Sequence, residues 1–144
     1  MRLQMTGAAL VVLLTATSAG AHRPDFGAGA YADPGTAYVI ENPAVSIVLY
    51  RQVTCERPEL WMRFDGQAGM ELYVQLLVPA IGRVEGYRPT LAVVGPGFPR
   101  TRPGIDLPAG AGAVVFPTAS VQPEVFDEPF TGTRDLILME ETLQ

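Results

Sequence analysis

His22 and Asp25 are the first residues whose types and spacing could do chemistry. Cleavage of a leader after Ala21 would make His22 the mature N-terminus, where one residue offers both an α-amino group and an imidazole, a pair that chelates Cu(II). Asp25 is the carboxylate placed to add a ligand. His22 is also the only histidine, so a copper centre here would have to draw on carboxylates or a thiol. A histidine that merely follows the cleavage site is the competing reading. The second set is Trp61, Arg63, Tyr73 and Gln75. On one face of a sheet, two aromatic rings with polar neighbours can stack on sugar rings, as in a carbohydrate-binding module. The alternative is packing, with Trp61 as a core anchor and Arg63 resting on the Tyr73 ring.

Catalytic groups are sparse. A Ser, His and acid triad would have to use His22, and there is no Gly-x-Ser-x-Gly elbow. Glu140 and Glu141, or Glu56 and Glu59, are carboxylate pairs by spacing alone and read as solvated charge. The Gly95 to Gly97 segment has neither the lysine nor the following helix of a phosphate loop. The chain is therefore expected not to be an enzyme and to carry no cofactor, with copper as the alternative.

The N-terminus points to export. Arg2 precedes the apolar run from Ala8 to Leu14, which is too short to span a bilayer, and Ser18-Ala19-Gly20-Ala21 supplies the small residues of a cleavage site. Residues 1–21 are expected to form a signal helix that is removed, leaving a periplasmic or extracellular protein without a stable membrane anchor. There is no lysine, and ten arginines stand against fifteen acidic residues, for a formal net charge of −5. An acidic chain without a basic cluster argues against nucleic acid and against anionic membrane surfaces. Cys55 is the only cysteine, so no internal disulfide is available, and it reads as a small packing side chain.

The elements that must position these residues are strands. Leu60, Met62 and Phe64 alternate with Trp61, Arg63 and Asp65, and Leu72, Val74, Leu76 and Val78 alternate with Glu71, Tyr73, Gln75 and Leu77, the period of half-buried strands. The stretch 60–78 is read as a β-hairpin. Placing both apolar sets on one side sets Phe64 against Leu72, Met62 against Val74 and Leu60 against Leu76 around a Gln67-Ala68-Gly69 loop. That register puts Trp61 opposite Gln75 and Arg63 opposite Tyr73. Further strands are expected at residues 37–41, 45–53, 90–94, 113–116 and 134–139. Residues 22–36 form an extended lead-in, and 95–104 and 122–129 are Pro-rich connections. No apolar stripe at helical spacing follows His22. The 48% apolar composition supports one packed domain at 37–144, an antiparallel all-β sandwich with a small barrel as runner-up.

The run Glu59-Leu60-Trp61-Met62-Arg63-Phe64-Asp65-Gly66-Gln67-Ala68-Gly69-Met70-Glu71-Leu72 resembles the central hairpin of bacterial pre-peptidase C-terminal domains. Leu91 to Gly97 and Pro129 to Thr133 are similar to stretches of uncharacterised secreted bacterial proteins. The resemblance implies a jelly-roll-like sandwich, used outside the cytoplasm as an accessory or binding module for protein or carbohydrate. Those domains close with further strands after the position of Met139, so the resemblance also implies a sandwich missing its last strands. An open edge beside Leu136 to Met139 would then favour self-association.

Overall fold

The computed structural model describes residues 23–101, 104–129 and 131–144. The expected signal helix at 1–21 and the His22 copper ligand lie outside the described residues. Within them the chain is all-β: β1 (Arg23–Asp25), β2 (Tyr38–Val39), β3 (Ile47–Leu49), β4 (Met62–Arg63), β5 (Leu72–Pro79), β6 (Leu91–Gly95), β7 (Gly112–Phe116), β8 (Glu124–Asp127) and β9 (Arg134–Leu143). They form four sheets: β1-β3, β2-β4, β5-β9-β8 and β6-β7. The last two are antiparallel throughout. The first two are parallel, which departs from the wholly antiparallel expectation.

The predicted hairpin does not form. Its first strand contributes only β4, which pairs in parallel with β2, with Tyr38 opposite Met62 and Val39 opposite Arg63. Its second strand, β5, pairs with β9, with Leu72 opposite Leu143 and Val78 opposite Leu136. The turn itself is present: Met70 N–H donates to the Gln67 carbonyl at 3.0 Å, and Gly69 has φ of 79°. A tight turn therefore joins two strands that enter different sheets. Alternation reveals which face of a strand is apolar, but not which strand lies beside it.

The β5 alternation does set a core face. Leu72, Val74, Leu76 and Val78 share it, and the β9 residues opposite them are Leu143, Glu141, Met139 and Leu136. Leu136 and Met139 differ in parity and can share that face only because the register shifts between Leu76 and Leu77, leaving Leu138 as the extra residue of a bulge in β9. Val78, Leu136 and Leu138 form the buried apolar cluster, with Ala80 packed against it. Each such side chain contributes about 1.5–3 kcal/mol by burial.

Two elements escaped the sequence reading. β1 arises inside the lead-in, where Arg23 N–H donates to the Ser46 carbonyl and Tyr50 N–H to the Asp25 carbonyl. β8 arises inside the second Pro-rich connection and covers β9 from Arg134 to Ile137. That corrects the expected open edge at Leu136 and Ile137, where β9 lies between β5 and β8, while Leu138 and Met139 have no strand on that side among the described residues. The residues after Met139 also belong to β9, which runs to Leu143.

The 96–111 loop folds back on β7. Ala113 N–H donates to the Pro99 carbonyl at 2.9 Å, and the Thr101 hydroxyl donates to the Ala113 carbonyl. Gly112 is required here, since a Cβ would collide with the carbonyl oxygens of Phe98 and Pro99. Thr118 is fully buried and donates to the Pro89 carbonyl at 2.7 Å, tying the loop after β7 to the segment before β6.

Candidate functional site

The four residues expected to share one face are distributed over two sheets. Trp61 precedes β4 and Arg63 ends it, whereas Tyr73 and Gln75 belong to β5, and β4 and β5 do not pair. Trp61 is half-buried, and its indole N–H donates to Glu59 Oε2 at 2.7 Å. Gln75 lies opposite Glu140, and its Nε2 donates to Glu140 Oε2 at 3.2 Å. Tyr73 is 48% exposed. Partial burial, and then the Glu140 carboxylate, raise its phenol above the ordinary value. Arg63 is exposed and lies in a different sheet from Tyr73; among the described residues the cation over an aromatic ring is Arg51, over Tyr31.

The structure gathers a different set, built by the two parallel pairings. β1 carries Asp25 beside β3, and β3 leads into Tyr50 and Arg51. β2 carries Tyr38 beside β4. The 26–36 segment crosses between them and returns Tyr31 to the same place, where its carbonyl accepts from Trp61 N–H at 2.7 Å. Tyr31 has φ of 49°, a left-handed conformation that costs a non-glycine residue about 1–2 kcal/mol. That backbone delivers the ring into a bracket of two glycines. A Cβ on Gly27 would lie 2.7 Å from Tyr31 Cε2, and one on Gly29 would collide with the ring.

Around this ring the contacts converge. The Tyr31 and Tyr38 rings meet edge to face with centroids 5.4 Å apart. The Arg51 guanidinium lies 5.5 Å from the Tyr31 centroid, and its Nη1 donates to the Gly27 carbonyl at 2.7 Å. The Tyr38 hydroxyl donates to Asp25 Oδ2 at 2.6 Å, and this bond to the carboxylate is the main reason the Tyr38 phenol titrates above its ordinary value. Asp25, read as a metal ligand, thus has one carboxylate oxygen engaged by a phenol. Phe26 stacks on Tyr50 with centroids 5.1 Å apart and planes 18° from parallel, yet it is 71% exposed. One face of Phe26 is covered by Tyr50, and its outward face is available to a ligand.

Sequence reading passed over this cluster because its members are spread from residue 25 to residue 51, and Gly27, Gly29, Pro34, Gly35 and Pro43 interrupt the segment between them. The signal that could have found it is the recurrence of Phe26, Tyr31, Tyr38 and Tyr50 in a stretch with no regular alternation.

Other groups converge less. A shallow, open concavity of about 430 Å³ lies over the turn after β4, lined by Pro43, Asp65, Gln67, Ala68, Gly69 and Met70. Asp65 is the only charged group in it. Among the described residues no three His, Cys, Asp or Glu side chains are grouped to hold a metal ion, and no helix is long and apolar enough to cross a membrane. Cys55 is exposed and unbridged, not packed inside. No protein-family model matches the chain, and neither a curated protein nor a solved structure is significantly similar to it.

Proposed function

We propose that the chain is an exported, non-catalytic binding module of jelly-roll-like β-sandwich type, and that it takes a carbohydrate on the aromatic cluster around Tyr31. One observation carries the reading. Phe26 is 71% exposed while its inner face is stacked on Tyr50, which leaves a flat, rigid apolar platform of the kind on which a sugar ring can lie. Arg51 and Asp25, held in the same cluster by their bonds to Gly27 and Tyr38, supply a donor and an acceptor for ring hydroxyls. The pairings already present fix their positions, so little side-chain entropy remains to be lost on binding.

The sandwich reading draws support from the 59–72 run. An aromatic strand and an apolar strand joined by a tight turn but entering different sheets are what a chain crossing between two layers requires. Export rests on the leader-like residues 1–21.

Titration of the purified chain with a panel of soluble oligosaccharides tests the ligand. Saturable binding that weakens on the order of five- to tenfold in Phe26→Ala, with an unchanged circular dichroism spectrum and only a small drop in melting temperature from the lost Tyr50 stack, is the expected result for loss of one stacking contact. Binding that is indifferent to both Phe26→Ala and Arg51→Ala would place the ligand elsewhere. Mass spectrometry of the protein released by its host tests export. A mature chain beginning at His22 would keep the copper alternative open, and a stoichiometric Cu(II) resonance would then be needed to establish it.

A further inference from the structure

We infer that the outer edge of β5 pairs with the same edge of a second copy, antiparallel, about a two-fold axis at Gln75. Among the described residues β5 pairs with β9 alone, so alternate N–H and C=O groups along eight residues face away from the sheet. Proteins usually protect such an edge with charge, a bulge or a very short strand. Leu72–Pro79 has no charged side chain, and the bulge of this sheet lies in β9. Pro79 breaks the pattern only at the last position.

The strand is complementary to itself. A two-fold axis normal to the sheet keeps each face on its own side, so opposed residues must have the same parity. Centred on Gln75, this sets Val74 against Leu76′ and Leu72 against Val78′ on the core face, and Tyr73 against Leu77′ on the other, where the prime marks the second copy. Each is an aliphatic or aromatic–aliphatic cross-strand pair of the stabilising kind. Glu71 meets Pro79′ and not its own copy. The half-exposed core face of β5 would continue unbroken into the partner.

Charge favours this edge over the other open edges of its own sheet, since the outer strand β8 carries Glu124 and Asp127 whereas β5 carries no charge. Beyond Ile137, β9 has no strand on its β8 side, but that stretch carries Glu140 and Glu141, and a symmetric pairing centred on either would bring that glutamate within about 5 Å of its own copy. Through β5 the two β9 strands are three spacings apart, about 14 Å, beyond the screening length of about 8 Å at physiological salt. A chain of net charge −5 therefore associates with itself through β5 at little electrostatic cost. The inference is independent of what the aromatic cluster binds.

Sedimentation equilibrium of the full chain over a range of concentrations, at low and high salt, should show a monomer–dimer equilibrium that changes little with salt. Gln75→Lys sets a charge against itself at the axis while remaining able to pair with Glu140. It should give a monomer with an unchanged circular dichroism spectrum. In a Cys55→Ser background, Gln75→Cys should form a disulfide-linked dimer on the order of tenfold faster than Glu141→Cys, because only the former thiols are held together. A wild-type chain that stays monomeric, a dimer that survives Gln75→Lys, or equal cross-linking at the two positions would each overturn the assignment.

Discussion

The two halves of the chain are held together by different forces. From Arg23 to Arg63 the strand pairings are two or three residues long and parallel, and side chains do the joining: an aromatic stack, an edge-to-face pair, a cation over a ring and a phenol on a carboxylate. From Leu72 onward the ladders are antiparallel and up to eight pairs long, and the buried apolar cluster lies there. A two-residue ladder cannot fix its own register. Tyr31 and its neighbours do so in the first half, whereas the second half is fixed by the ladders. The half with the weaker backbone carries the exposed aromatic platform, and the binding role proposed for it would follow the rule that binding regions are drawn from the less stable part of a fold.

The largest effect should come from the second half. Leu138→Ala removes a buried side chain of the cluster and should cost about 2–5 kcal/mol, read as a large drop in the midpoint of urea unfolding. If the halves unfold as one unit, the aromatic cluster must be lost at the same midpoint, and a near-ultraviolet signal that persists beyond it would separate them. Gly112→Ala comes next. Its methyl group would collide with two backbone carbonyls that cannot rotate aside, and overpacking of this kind costs about 1–3 kcal/mol.

Tyr31→Ala sharpens the comparison. It removes the ring from the Gly27 and Gly29 bracket and leaves the β5-β9 ladder untouched. Hydrogen exchange should accelerate at Tyr38, Ile40 and Trp61, whose N–H groups bond across this region, with no change from Leu72 to Pro79. Acceleration in both places would show that the division is not real. Smaller still is Tyr38→Phe, which deletes one hydrogen bond to a carboxylate and should cost about 1 kcal/mol. The sign of its pH dependence follows from the raised Tyr38 pKa. The stabilisation is complete below the unfolded tyrosine value of about 10 and is lost as pH rises through the higher folded value, so wild type and Tyr38→Phe should converge in stability at alkaline pH. The smallest change is expected for Asp127→Asn, since the Asp127 and Arg134 pair lies at the surface. Arg134 lowers the Asp127 pKa, so whatever the pair contributes is present near neutrality and fades as pH falls through that lowered value.

The same division governs what could be read in advance. β5, β6, β7 and most of β9 were legible, since alternation or a β-branched run bounded by Gly and Pro marks a strand wherever its partner lies. Their partners were not: the 60–78 stretch satisfied every local rule of a hairpin, and β5 still paired with a strand some sixty residues further on. β8 hid among prolines that stand at its margins, outside the Glu124–Asp127 ladder. The bulge at Leu138 puts two alternations of opposite phase end to end, so the last five residues looked like a polar tail. Of the candidate site, Asp25 was singled out for a metal, whereas its partner in the structure is Tyr38. The remaining members of the cluster come from four short segments whose convergence depends on parallel pairings that no periodicity announces.

The pairing of Gln75 with Glu140 spans 65 residues, and that separation has a consequence in time. At about 5–20 residues per second, β5 leaves the ribosome roughly 3–13 seconds before the end of β9 that must cover it. For that interval its uncharged strand has both edges bare. The order in which the chain emerges, from the ribosome and across the membrane it is proposed to cross, thus gives it a window of vulnerability that the finished fold does not display.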